Sequence, residues 1–76
     1  MKELVEFMVK HLVDRPEEVQ VSEIEGEKTV VYELRVGQGE LGRVIGRGGR
    51  TAQSMRVLLN AAATKQRKRV VLELLE

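Results

Sequence analysis

Apolar positions change rhythm along the chain, and each change marks an element. Over residues 2–14, Leu4, Phe7, Met8, His11 and Leu12 fall three and four apart on one helical face, and Val5, Val9 and Val13 widen the stripe. This predicts a helix from Lys2 to Asp14. Arg15 precedes Pro16, which biases it away from helical angles and ends the helix. The rhythm then shortens to two. Val19 and Val21 alternate within a predicted strand over Glu18–Glu25, but Glu23 and Ile24 break the phase, which suggests a bulge or an irregular edge strand. Gly26-Glu27 supplies a turn. A better strand follows over Lys28–Val36, with Val30, Tyr32, Leu34 and Val36 on one face and Val31, Glu33 and Arg35 on the other.

Gly37-Gln38-Gly39 breaks that strand, and Glu40–Ile45 is long enough for about one and a half helical turns. After Gly46-Arg47-Gly48-Gly49 the helical rhythm returns from Arg50 to Lys65. Met55, Leu58, Leu59 and Ala62 form the expected buried stripe, with Ala52 near its start. The small Ala61-Ala62-Ala63 run allows close approach by another element. Gln66–Lys68 is a short basic connection, and Arg69–Leu75 is a last strand with Val70, Leu72 and Leu74 inward. The order is α-β-β-α-α-β, an α+β class with a three-stranded mixed sheet and three helices on one face. A strand–helix–helix–strand crossover normally closes right-handed onto the same sheet, so the last strand should lie parallel to the second. The first two should pair antiparallel.

The stretch Leu41–Thr51 holds four of the seven glycines and three arginines. Glycine admits backbone angles that other residues resist and removes the side chain that blocks close approach. A glycine turn opening onto a helix leaves N–H groups unpaired at the positive end of the helix dipole. Arg43, Arg47 and Arg50 add charge around it. Such a turn is a seat for phosphate.

Val44-Ile45-Gly46-Arg47-Gly48-Gly49 resembles the Val-Ile-Gly-x-x-Gly core of the KH (K-homology) domain, whose loop clamps about four backbone nucleotides. Element order and chain length are also similar to the bacterial type II KH arrangement. There an extra helix and strand precede the core, and the likeness spans essentially all of residues 1–76 as a single domain. A chain of this one domain resembles the small stand-alone bacterial KH proteins of the KhpA-like family. The resemblance implies a single-stranded RNA-binding protein, an RNA chaperone or post-transcriptional regulator, that forms homodimers or pairs with a KhpB-like KH protein. It also implies a groove for the RNA. Gly46, Arg47, Gly48, Gly49 and Arg50 would hold phosphates with Arg43 beside them, Val44 and Ile45 are the nearest candidates to touch bases, and Lys65, Arg67, Lys68 and Arg69 would line the far wall. Single-stranded DNA is the less favoured ligand.

Charge supports an anionic partner for the second half. Residues 1–34 carry four cations and nine acids, a net of −5, whereas residues 35–76 carry nine cations and three acids, a net of +6. No acid lies between Leu41 and Leu72. With Phe7 and Tyr32 as the only aromatics, stacking platforms are unavailable, so binding should rest on phosphate contacts and a shallow apolar groove.

Other chemistries fit poorly. The absence of cysteine excludes disulfides and thiolate metal sites, and the lone His11 cannot build a zinc site. His11 reads as a packed or boundary residue. Gly37-Gln38-Gly39-Glu40-Leu41-Gly42 matches a dinucleotide-binding fingerprint, but the acid wanted about 20 residues later is missing. Gly49-Arg50-Thr51 lacks the lysine of a phosphate-binding P-loop. No nucleophile–base pair is visible, so no enzyme and no cofactor are expected. Charged residues interrupt the N-terminal apolar positions, and no apolar run spans a bilayer, so a cytoplasmic protein away from membranes is expected. The alternative function is a protein-interaction module, with Val31, Val71 and Leu75 on the outer sheet face or Val57 and Ala61 on the long helix as contact surface.

Overall fold

The computed structural model describes residues 1–76 and contains α1 (Lys2–Lys10), β1 (Gln20–Glu25), β2 (Thr29–Arg35), α2 (Leu41–Ile45), α3 (Arg50–Ala63) and β3 (Arg69–Leu75). Single 3-10 turns precede β1 and α3 and follow α3. The sheet order is β1-β2-β3. β1 runs antiparallel to β2 and β3 runs parallel to it, with Val30 beside Val70 and Tyr32 beside Leu72. The expected α+β architecture is therefore present. Val21, Val30, Tyr32, Leu34, Val70 and Leu72 turn to one face of the sheet. There they join Val5 and Val9 of α1, Val44 of α2, and Met55 and Leu59 of α3 in one core. No helix is long and apolar enough to cross a membrane.

The structure corrects the sequence reading in three places. α1 stops at Lys10 rather than Asp14. The backbone N–H groups of Asp14 and Arg15 donate to Oε1 of Glu40, at 2.8 and 3.1 Å, instead of to a helical carbonyl. A carboxylate from far along the chain thus ends the helix together with Pro16. The buried line of α1 is Val5 and Val9, while Leu4 and Phe7 are 41% and 62% exposed. The stripe is wider than the sheet beneath it, and the sheet covers only one flank. His11, at the end of α1, is exposed; its Nδ1–H donates to the Phe7 carbonyl at 2.7 Å and the two rings tilt together.

β1 has no bulge. Its pairing runs unbroken from Gln20 opposite Arg35 to Glu25 opposite Val30. The apparent slip of phase arises because the strand outruns the core. Glu23 sits on the core side at the rim beside Tyr32, and Ile24 stands exposed on the outer face. The third correction concerns α3, which buries Ala52, Met55, Leu59 and Ala63, not Leu58 and Ala62. The residues three and four apart from Met55 and Leu59 on the small-residue side face the sheet, because Ala52 and Ala63 let the helix axis come close. Leu58 is left 58% exposed.

Tyr32 is fully buried at the centre of β2. Burial first, and then the carboxylates of Glu23 and Glu25, push its phenol above the ordinary value. An unfolded phenol ionises near pH ~10. Above that pH the unfolded state sheds a proton that the folded state keeps. The stabilisation should be complete below about pH 10 and fall as pH rises towards the folded phenol's value. Urea midpoints compared at neutral and strongly alkaline pH should show this loss in wild type and a smaller one in Tyr32→Phe. Equal losses would assign it to other groups.

Candidate nucleic-acid interface

The chain turns sharply between α2 and α3. Gly46 closes α2 through its N–H to the Gly42 carbonyl at 2.9 Å, and Gly49 N–H returns to the Gly46 carbonyl at 3.1 Å. Gly46 has φ 77° and ψ 175°, a conformation open essentially to glycine alone. Gly48 has φ 64° and faces open space, with nothing within 4 Å of where a Cβ would stand. Arg47 and Arg50 are exposed, and neither takes part in any of the five ion pairs. The loop is thus a bare, left-handed turn with two free guanidinium groups, set on the N-terminus of a 14-residue helix.

The remaining expected contacts separate. Val44 is completely buried and belongs to the core beneath the loop. Ile45 is half-buried. Arg43 pairs with Asp14 at 3.0 Å, but both side chains are more than half exposed, and such surface pairs contribute little. Lys68 differs from the other basic candidates. Its side chain is only 17% exposed and pairs with Glu25, tying β3's start to the end of β1. That ammonium group holds the Glu25 carboxyl below its ordinary value, through a hydrogen bond first and then by charge. Lys65 and Arg67 are exposed at the far end of α3, with Arg67 in a left-handed conformation at φ 56°.

Arg69 lines a cleft of about 510 Å³ between α3 and the free edge of β3. The other walls are Gln53, Arg56, Val57 and Asn60 on the helix and Val70–Leu72 on the strand. Gln53, Arg56 and Asn60 escaped the sequence reading, which named Val57 only as a protein-contact candidate. Their spacing of three, four and seven along α3, all in a stretch without acids, was the available signal. Asn60 and Arg56 cover the strand edge. Val70 N–H donates to Asn60 Oδ1 at 2.9 Å, Asn60 Nδ2 donates to the Val70 carbonyl at 3.2 Å, and Arg56 Nη2 donates to the Leu72 carbonyl at 3.3 Å. No three histidine, aspartate or glutamate side chains gather as a metal site.

Behind the loop, Glu40 at the start of α2 is 4% exposed. Its Oε1 accepts from two backbone N–H groups, and its Oε2 has no partner. Arg15 flanks it and also donates to the Gln38 carbonyl. This carboxylate fastens α2, and with it the glycine turn, to the chain leaving α1. Glu40→Ala strands two donors, each costing about 1–3 kcal/mol where buried, and should lower Tm by roughly 10 °C or more. Glu40→Gln keeps an acceptor at Oε1 and should lose less than half as much. Equal melting temperatures for the two variants would show that the acceptor does not matter.

Two helices joined by a Gly-x-x-Gly turn, crossing between parallel strands and preceded by a helix and an antiparallel strand, make a KH domain of the type II arrangement. The family model for the KhpA/KhpB KH domain matches residues 2–74. The chain is 57% identical to the RNA-binding protein KhpA of Aquifex aeolicus over all of its own length and 96% of that protein. It is 53% identical to the KhpA of Borreliella burgdorferi, covering 97% of this chain and 90% of the relative. It is 49% identical to that of Clostridium acetobutylicum, covering 99% and 100%. No solved structure matches significantly. The chain belongs to the KhpA/KhpB family of KH domains, which is not a family of enzymes.

Proposed function

We propose that this chain binds single-stranded RNA, gripping the phosphate backbone at the Gly46–Gly49 turn, and serves as an RNA chaperone or post-transcriptional regulator. The observation that carries the reading is the bare glycine turn with Arg47 and Arg50 exposed and unpaired at the N-terminus of α3. The names of the relatives support the ligand class. Arg43 joins when its surface pair with Asp14 opens. From the loop the strand would follow α3 into the cleft above β3, where Arg69 adds charge. With about four phosphate contacts, the logarithm of affinity should fall with the logarithm of salt at a slope near −3. Titration of a labelled pool of short single-stranded RNAs at several salt concentrations measures it. A slope near zero, or no binding at low salt, would overturn the proposal. One domain gripping about four nucleotides binds weakly, so a second RNA-binding subunit would add avidity.

A second reading, an interaction module acting as a homodimer or beside a KhpB-like protein, draws on exposed apolar side chains. Phe7 and Leu4 stand on α1 and Val57 and Leu58 on α3. Val31, Val71 and Leu75 on the outer sheet face are half-buried. Light scattering at high protein concentration distinguishes the readings. A dimer insensitive to salt favours the module, and a monomer with steep salt-dependent RNA binding favours the first.

A further inference from the structure

The α3–β3 cleft holds polar groups of two kinds. The Asn60 amide is spent. Its oxygen accepts from Val70 N–H, and its nitrogen donates to both the Val70 and the Arg56 carbonyls. It gives Val70 what a neighbouring strand would give, and so closes the sheet edge there. Arg56 is not spent. Its guanidinium carries five N–H donors, of which one hydrogen bond, to the Leu72 carbonyl, is made within the chain. It is half-buried, and no carboxylate pairs with it. The exposed Gln53 amide and Arg69 guanidinium also line the cleft without a partner, so apart from the Gln53 amide its free polar side chains are guanidinium donors, of which Arg56 is the half-buried one, bordered by the apolar sides of Val57 and Val71.

A guanidinium fork matches two adjacent acceptors in one plane. Among the bases, guanine presents such a pair at O6 and N7, whereas adenine sets a donor beside its N7. Cytosine offers a pair on its pairing edge, but it is the smaller base. A cleft of about 510 Å³ with valines on its walls suits the purine. Unpaired bases in single-stranded RNA expose these edges. Arg56 also lies six residues along α3 from Arg50, about 9 Å along the axis, within reach of a strand held at the glycine turn.

We propose that Arg56 reads a guanine base of the bound single-stranded RNA in the α3–β3 cleft, while Asn60 keeps the β3 edge closed. Base preference then comes from a side chain of α3 and not from the strand backbone. The inference rests on the RNA-binding reading above, and its test separates the two.

The test uses uracil octamers carrying at their centre one guanine, adenine, cytosine or 7-deazaguanine, titrated by fluorescence anisotropy at two salt concentrations. Wild type should bind the guanine octamer about tenfold more tightly than the all-uracil one, the discrimination typical of one bidentate contact. The 7-deazaguanine octamer, which keeps O6 but lacks the N7 acceptor, should lose most of that advantage without any change to the protein. Arg56→Met removes every donor while keeping an unbranched side chain. Its guanine-to-uracil affinity ratio should fall towards one, while its salt slope, which counts neutralised phosphates and not base contacts, stays close to that of wild type. Salt-dependent binding with no guanine advantage, a cytosine preference, or an advantage left undiminished by 7-deazaguanine or by Arg56→Met overturns this inference alone. No binding to any octamer overturns it together with the RNA-binding reading.

Discussion

Gly46→Ala should unfold much of the population at moderate temperature, with Tm lowered by 15 °C or more as read by circular dichroism, an estimate built on about 3 kcal/mol. Two costs combine. The backbone at φ 77° and ψ 175° lies where only glycine sits comfortably, at about 1–3 kcal/mol for another residue. A Cβ would also stand 2.2 Å from Thr51 Oγ1, 2.7 Å from Thr51 Cβ and 3.0 Å from Thr51 N. Overpacking of this kind costs about 1–3 kcal/mol more. The Thr51 backbone begins α3 and cannot retreat without moving the helix off the sheet. Adding Thr51→Ala to Gly46→Ala removes the Oγ1 contact but leaves the Cβ contact and the strain, so it should recover only a minor part of the loss. A Gly46→Ala protein melting within 5 °C of wild type would contradict this reading of the turn.

Arg47→Asp combined with Gly48→Asp should abolish RNA binding, by a hundredfold or more, and leave the fold standing. Position 48 differs from position 46 in the feature that matters. A Cβ there meets nothing within 4 Å. Its φ of 64° and ψ of 19° lie in the left-handed region that aspartate tolerates better than most residues. The stability loss should stay near ~1–2 kcal/mol. At the loop, by contrast, one free guanidinium is replaced by two carboxylates beside the phosphates. The exposed turn that accepts the substitution is the same surface that RNA would lose. Paired thermal melts and RNA titrations check both halves. Wild-type affinity in a folded double variant would remove the loop from the binding site.

The regular rhythms of the chain were legible because secondary structure repeats over a few residues. The two-residue alternation of Val30, Tyr32 and Leu34, continued by Val36 just past its end, marked the buried face of β2, and each of the four is buried. The position of the glycine turn between two helices was equally plain, since local backbone chemistry sets it. The cleft was not legible. It exists because Arg56 and Asn60 on one helix meet Leu72 and Val70 on a strand that pairs with β2, and no local pattern states that meeting.

The sequence by itself determined the element order, the parallel closure of β3 on β2, the glycine turn and the basic second half, because periodicity, turn chemistry and charge are properties of neighbouring residues. The tertiary structure alone decided which flank of α1 and α3 is buried, and it ended α1 four residues early through Glu40, which lies 26 residues beyond Asp14. It also left Arg47, Arg50 and Arg56 without a carboxylate partner while tying Lys68 to Glu25, 43 residues away. A cation's availability depends on which carboxylate folding brings within a few ångströms, and burial depends on how wide a stripe the sheet can cover; both are set by distances between residues remote along the chain.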